Sequence, residues 1–242
     1  KKVCMEQRSI VFLTGAGISA ESGINTFRSA GGLWETYSID EVCTPEAFRR
    51  NRKFVLEFYN KRRAELHDKL PNPAHRMIAA LEKDYGSRII NITQNIDDLF
   101  EKAGCSAVMH LHGELTKARC EFCGHTWHIG YKAIYGDEQC PDCGNHKTRH
   151  HVVMFHEEAP LYRLLYATID KLFATESMLV VIGTSGQVLP VEHFARAAPV
   201  SILNNLDPEP AIDDCVFTHV FYEKAGVASA RIDTLCREYL EL

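Results

Sequence analysis

Ser9-Ile10-Val11-Phe12-Leu13-Thr14-Gly15-Ala16-Gly17-Ile18-Ser19-Ala20 is the stretch that decides the fold. Residues 9–14 form an apolar run with β-branched members and no polar alternation. That reads as a strand buried on both faces, the kind that builds parallel sheets. Gly15 and Gly17 turn the chain directly after it. Glycine permits the tight turn, and a small residue beyond it lets the backbone approach a pyrophosphate at a helix N-terminus. A hydride-transferring enzyme would follow with a second strand ending in an acidic residue about twenty residues on. Glu35 and Asp40 fall near that spacing, yet no strand leads into either. The motif predicts a dinucleotide held under a long loop, without hydride transfer.

Working outward, residues 88–93, 107–111, 178–184 and 200–206 repeat the short apolar strand pattern. Helical segments lie between them. One runs over 44–69, with Thr44 as N-cap and Pro45 at the first helical position. Others cover 74–84 and 97–102, a segment striped by Leu161, Leu164, Leu165 and Leu172, and an amphipathic tail at 227–240. The alternation predicts an α/β fold, a Rossmann-like parallel sheet covered by helices. Residues 116–150 break the rhythm: they are polar and rich in Cys, His and Gly. The expected organisation is a discontinuous Rossmann-like domain of 1–36, 73–112 and 152–242. A helical insertion (37–72) and a zinc-ribbon module (113–151) would form a small second domain.

Composition excludes several classes. The 242 residues are 45% hydrophobic with a net charge of −5, too apolar and too weakly charged for disorder. The longest apolar run, 178–182, falls far short of the ~20 residues a membrane span needs. The acidic balance argues against direct nucleic-acid binding. Lys1-Lys2-Val3-Cys4 carries no apolar signal region, so the expected location is the cytoplasm, bacterial-type; an organellar targeting segment upstream of Lys1 stays open. A monomer is expected. Nine cysteines, an odd number, argue against a closed disulfide framework and toward metal or catalysis.

Cys120-Glu-Phe-Cys123, sixteen residues, then Cys140-Pro-Asp-Cys143 is the strongest single motif. Two such knuckles place four thiolates tetrahedrally around one Zn²⁺ and leave no position open for water, so the ion is structural. Metal binding would supply folding energy that a polar module of about 35 residues lacks. A redox pair or free thiols is the competing reading. His125, His128 and His146 are expected to be exposed, and the other five cysteines to be small apolar fillers.

Three further clusters sit where strands end, the place where open α/β sheets bind ligands. Thr93-Gln94-Asn95-Ile96-Asp97 suits either a ribose or carboxamide grip or an Asx-type helix cap. In His110-Leu-His112-Gly113-Glu114 both histidines share a face. A general base and a simply hydrogen-bonded histidine both fit them. Gly183-Thr184-Ser185-Gly186 suits phosphate, and Asn205-Leu206-Asp207 suits ribose hydroxyls.

Taken in order, GAGIS-AESGI-x-TFR (15–28), TQNID (93–97), HGEL (112–115), the paired CxxC knuckles, VVxF (152–155), GTSG (183–186) and NLD (205–207) resemble the sirtuins, the NAD-dependent lysine deacylases. The likeness spans residues 9–240 and is nearest the class III, bacterial CobB-like branch, through Tyr59-Asn-Lys-Arg62 and Ala30. It implies NAD contacts at Gly15, Ala16, Gly17, Ser19, Glu21, Thr26, Phe27, Arg28, Trp34, Gln94, Asn95, Ile96 and Asp97. Further contacts are implied at Gly183, Thr184, Ser185, Asn205, Leu206, Asp207 and Ala228. His112, Asn95 and Asp97 are implied to be catalytic.

The implied reaction starts when the acyl-lysine carbonyl oxygen attacks C1′ of the nicotinamide ribose. His112 as general base then activates a ribose hydroxyl, and lysine, nicotinamide and 2′-O-acyl-ADP-ribose result. The acylated protein or peptide would bind as an added strand. Tyr59 and Arg62, three apart on a helix, with Ala30, would form a pocket for acetyl and for negatively charged succinyl groups. The competing reading makes Arg49, Arg50, Arg52, Lys61, Arg62 and Arg63 a solvated basic face. An ADP-ribosyltransferase and a non-catalytic NAD sensor on the same scaffold are the alternative functions. The chain departs from the family pattern at Asn25, at Phe100 (read as packing), at His150 in place of a frequent proline, and at His156 in place of a glycine. His150, His151 and His156 admit a second metal cluster as a competing reading.

Overall fold

A computed structural model of the chain describes residues 8–26, 37–174 and 176–242. Phe27, Arg28, Ala30 and Trp34, and Cys4, lie outside the described residues.

The unbroken apolar run forms β1 (Ser9–Thr14), buried at every position. It lies at the centre of a six-stranded sheet whose pairings are all parallel. With β2 (Ile89–Thr93), β3 (Val108–His110), β7 (Ser177–Ile182), β8 (Val200–Asn205) and β9 (His219–Tyr222), the order is β3-β2-β1-β7-β8-β9. Alternate residues of β1 feed opposite cores, as the two-residue strand period requires. Ile10 and Phe12 pack with Ile78, Leu81, Ile232 and Cys236 on one face. Val11 and Leu13 pack with Leu165, Ile169 and Phe194 on the other. The sheet order reverses on either side of β1, so the carboxyl ends of β1, β2, β7 and β8 open on one crevice.

Before β2 run α1 (Ile39–Val42), α2 (Pro45–Arg50), α3 (Arg52–Leu66) and α4 (Pro73–Tyr85). The single helix expected over 44–69 is two. Asn51 leaves helical geometry at φ −145° and ψ 67°, and its side chain caps the next helix by accepting from the Phe54 N–H. After β2 come α5 (Leu99–Ala103), then β4 (Gly113–Cys120), β5 (Thr126–His128) and β6 (Thr148–Val152). The last three form an antiparallel sheet in the order β5-β4-β6. Next are α6 (Tyr162–Phe173), α7 (Val191–Ala197) and α8 (Ala225–Glu241). In α6 the core-facing positions are Leu165 and Ile169, while Leu164, expected inside, is half exposed.

Helix α3 is laced to the antiparallel sheet. Asn60 exchanges two hydrogen bonds with the Ile134 backbone (2.7 and 2.9 Å). Arg63, expected on a solvated basic face, is fully buried. Its guanidinium donates to the carbonyls of Leu115, of Lys132 (2.9 Å) and of Lys117 (3.0 Å). Among the described residues no helix is long and apolar enough to cross a membrane.

Candidate active site

The crevice is built on the glycine turn. After Thr14 the chain enters a short 3₁₀ helix, Ala16–Ser22, with the Gly15 N–H donating to Ile182 O and the Gly17 N–H to Gly183 O (both 2.9 Å). A Cβ on Gly15 would lie 2.6 Å from Gly183 O, and one on Gly17 would lie 2.6 Å from Gly183 Cα. The two strand-end loops can touch only because all three positions lack side chains.

Four buried polar side chains interlock beneath the turn. Asn95 Nδ2 donates to Gly15 O (3.2 Å) and to Ser19 Oγ (3.1 Å), and Ser19 Oγ donates to Asp97 Oδ2 (2.9 Å). Asp97 Oδ1 accepts from the Leu99 N–H (3.2 Å), so one carboxylate both caps the turn into α5 and reaches the glycine loop. Burial pushes its pKa up; the Leu99 N–H and the Ser19 hydroxyl pull it partly back. His75 completes the cluster, with Nε2 at 3.5 Å from Ser19 Oγ. Its ring is fully buried, Nδ1 has no partner among the described residues, and burial lowers its pKa to about 4. Sequence reasoning passed over His75. Its signal was position, in the first turn of a helix capped by Asn72, whose amide also ties down Ile18 O (2.6 Å) and Ser22 Oγ (3.1 Å).

The two histidines of His110-Leu-His112 receive opposite treatment. His110 bonds Asn95 O through Nδ1 and Glu101 Oε1 through Nε2, both at 2.9 Å. Burial works most strongly against its charge, but Glu101, the Asn95 carbonyl and Glu114 together raise the pKa. Both ring nitrogens face acceptors, an arrangement that favours the protonated ring. His112 bonds Gln94 O through Nδ1 and the Tyr162 hydroxyl through Nε2, again both at 2.9 Å. Among the described residues no carboxylate bonds this ring, and burial lowers its pKa. The Gln94 carbonyl accepts from Nδ1–H, which leaves a basic lone pair on Nε2.

Across the crevice, Gln94 Nε2 donates to Thr184 Oγ1 (3.1 Å). Asn205 clamps the Thr184 backbone in both directions, accepting from its N–H (3.1 Å) and donating to its carbonyl (3.0 Å). Leu206 and Asp207 are exposed beyond it, Ser185 next to Thr184 is part-buried, and so is Thr26 after the glycine turn. Glu21 turns away to accept the Gly226 N–H (2.6 Å) at the start of α8. Ile96 packs among the apolar residues under α3, and Ala228 is fully buried in the helix-covered core.

The Tyr59 hydroxyl donates to Cys43 Sγ (3.4 Å) in a buried site, where burial raises both pKa values. Arg62, whose side chain is 14% exposed, has one long ion pair, to Glu65 at 3.9 Å. Burial lowers its pKa, against the pull of Glu65, Cys43, Tyr59 and Asp97. Cys43 is thus more than the filler expected; Cys105 and Cys236 are buried fillers, and Cys215 is exposed. His156 holds φ +69°, the one non-glycine residue with positive φ among the described residues.

The four zinc-motif sulfurs lie within 4.8 Å of one another, with Cys120–Cys143 and Cys123–Cys140 both 3.7 Å apart. Tetrahedral Zn–S bonds of about 2.3 Å require sulfurs roughly 3.8 Å apart, so the cage fits the ion. Each knuckle closes on a left-handed glycine, Gly124 (φ +78°) and Gly144 (φ +73°), whose N–H returns to the carbonyl of the first cysteine. His125, His128 and His146 are exposed and stand outside the cage. Among the described residues the other candidate metal group is Asp213, Asp214 and Cys215, not the histidines 150, 151 and 156.

Comparison with known proteins agrees with this geometry. The Sir2 family model matches residues 15–190. The NAD-dependent protein deacylase of Campylobacter jejuni (strain RM1221) is 48% identical over 197 residues, covering 81% of this chain and 82% of the relative. A solved Sir2 homologue in complex with NAD superposes with a TM-score of 0.80 at 33% identity, covering 98% of this chain and 92% of that one. A Sir2 protein with deacetylated p53 peptide and 3′-O-acetyl-ADP-ribose gives 0.76 at 28% identity, covering 95% and 94%.

Proposed function

The chain belongs to the Sir2 family, and from that premise we propose that it is an NAD-dependent protein lysine deacylase. The observation that carries this reading is the pair of contacts on half-buried His112, a carbonyl at Nδ1 and a hydroxyl at Nε2, where His110 meets acceptors at both nitrogens. A general base needs a free lone pair near working pH, and only one of these two rings has it.

NAD⁺, when bound, supplies an electrophilic ribose carbon and nicotinamide as leaving group. Residues 15–19 with Thr184 and Ser185 hold the pyrophosphate. Asp207, beyond the Asn205 clamp, takes the adenosine ribose, and Asn95 and Asp97 order the nicotinamide end. Gly17, Ala16, Gln94 and Gly183 shape the walls, and Thr26, with Phe27, Arg28 and Trp34 outside the described residues, completes the set of NAD⁺ contacts that the family resemblance implies. His112 Nε2 accepts the proton of a sugar hydroxyl, and the Gln94 carbonyl steadies the imidazolium that forms. The zinc cage holds β4, β5 and β6 and takes no part in the chemistry. The small unit pairs 37–72 with 113–151, and an acyl-lysine peptide adds as a strand between it and the larger unit of 1–36, 73–112 and 152–242.

The acyl pocket accepts succinyl as well as acetyl. Arg62 supports this: its charge is largely desolvated and its ion pair to Glu65 is long, at 3.9 Å, so a substrate carboxylate would relieve it. Acetyl- and succinyl-peptides incubated with and without NAD⁺ and followed by mass spectrometry test both levels. NAD⁺-dependent loss of both acyl groups is expected. Turnover without NAD⁺, or none with either peptide, sinks the deacylase reading. Arg62→Met should suppress desuccinylation far more than deacetylation; equal losses would remove Arg62 from the pocket.

A further inference from the structure

The Nε2 atom of His112, which must take the proton, already has a partner. The Tyr162 hydroxyl sits 2.9 Å from it, with ring centroids 6.0 Å apart and tilted by 42°. The Gln94 carbonyl can only accept, so Nδ1 of a neutral ring carries the hydrogen and Nε2 offers a lone pair. Tyr162 is therefore the donor. An imidazole nitrogen has one in-plane lone pair, so a phenol and a sugar hydroxyl cannot both bond to it well. The Nδ1 contact alone fixes tautomer and ring orientation, so the Tyr162 bond is not needed for either. Tyr162 is half-buried at the first position of α6, on an element apart from the strand ends that form the crevice.

We propose that Tyr162 is a displaceable cap on the general base: it donates to Nε2 of His112 in the free protein and yields that atom to the substrate hydroxyl. The proposal rests on the reading of His112 as the base. A hydrogen bond to the neutral ring favours that form, so the cap also keeps His112 unprotonated before substrate arrives. Among the described residues, burial and the Gln94 carbonyl are the other influences on the ring. Tyr166 is the titratable group that acts on Tyr162, and His110 with Glu101 hangs from the neighbouring Asn95 carbonyl.

Tyr162→Phe keeps the ring and removes the donor. Titration of the His112 ring by NMR in the ligand-free protein should give a pKa about half a unit to one unit higher than in the parent, the worth of one neutral hydrogen bond. Steady-state kinetics at pH 8, where both rings are neutral, should give a KM for NAD⁺ about three- to five-fold lower, with kcat little changed. An unchanged ring titration overturns the cap, as does a KM that rises or a kcat that collapses. The titration needs no turnover, so an inactive parent would refute the deacylase reading while the cap is still judged.

Discussion

Arg63→Met should destabilise the protein by about 4 kcal/mol, although the neighbouring Arg62→Met should leave it within about 1 kcal/mol of the parent. The two residues are adjacent in sequence and identical in type, and the structure gives them opposite duties. Arg63 is fully buried and bonds three backbone carbonyls, those of Leu115, Lys117 and Lys132. Methionine retains most of the stem and deletes all three bonds. The buried Leu115 carbonyl left unpaired costs roughly 1–3 kcal/mol, and the part-buried carbonyls of Lys117 and Lys132 roughly 1 kcal/mol or more each. Loss of the charge itself refunds part of that, since burial already holds the Arg63 pKa down at about 10. A net of about 4 kcal/mol lowers the melting temperature by roughly 8–16 °C for a chain of this size. Urea unfolding with zinc saturating, followed by far-ultraviolet circular dichroism, measures it. Arg62 has only the 3.9 Å contact to a half-exposed Glu65, so its removal exposes no orphaned partner. A loss under about 1 kcal/mol for Arg63→Met would refute the structural duty assigned to this side chain.

Removing the metal with a strong chelator should unfold the β4–β6 sheet and abolish deacylation, and one equivalent of Zn²⁺ should restore both; full activity in metal-free protein would contradict a structural cage. His156→Gly should stabilise the protein by roughly 1 kcal/mol in urea unfolding, because glycine carries no penalty at φ +69°; a destabilised variant would show that the side chain holds the loop. Stability should fall on acidification through His75 and His150, whose pKa values are lowered by burial to about 4 and about 2. Both stay neutral in the fold while the unfolded chain takes up protons below about pH 6.5, so each removes about 1.4 kcal/mol by pH 5.5. Urea unfolding of His150→Gln should lose that much less than the parent between pH 7.5 and 5.5; identical losses would refute it.

The sheet was legible because its strands are buried on both faces. Residues 9–14 need no partner to be read, since a continuous apolar run has few other homes. The edge strand His219–Tyr222 escaped notice for the opposite reason: it is only four residues long and half-buried, too short to show a pattern although Val220, Phe221 and Tyr222 suit a strand. The zinc cage was legible because ligand spacing is written in the chain. Arg63 was not, because a run of basic residues on a helix looks the same whether one member points outward or inward; only the placement of three carbonyls from residues 115–132 decides it. His112 could be picked out as a base by resemblance, but not told from His110 by residue type. The carboxylate that charges His110 comes from Glu101, nine residues earlier on a different element.

Two of the four departures from the family pattern lie close together. Phe100 stands apart: it is fully buried and meets the His75 ring edge-on at 4.9 Å, as a packing substitution should. His150 is buried with its ring 5.4 Å from Tyr59 and its Nε2 3.0 Å from Asn60 Oδ1. His156 follows Phe155, whose N–H donates to Cys43 O (2.8 Å), and Cys43 in turn accepts from Tyr59. His150 thus meets Tyr59 directly, and the chain just before His156 meets Cys43, the partner of the Tyr59 hydroxyl. The nicotinamide-side cluster of Ser19, Asn95, Asp97 and His75 bonds chiefly within itself and to the turn it supports. On the proposed reading, a site built this way would fix the cofactor end of the reaction and leave the acyl end free to vary. Differences in substrate choice from other family members should thus trace to Cys43, His150 and His156 rather than to the catalytic residues.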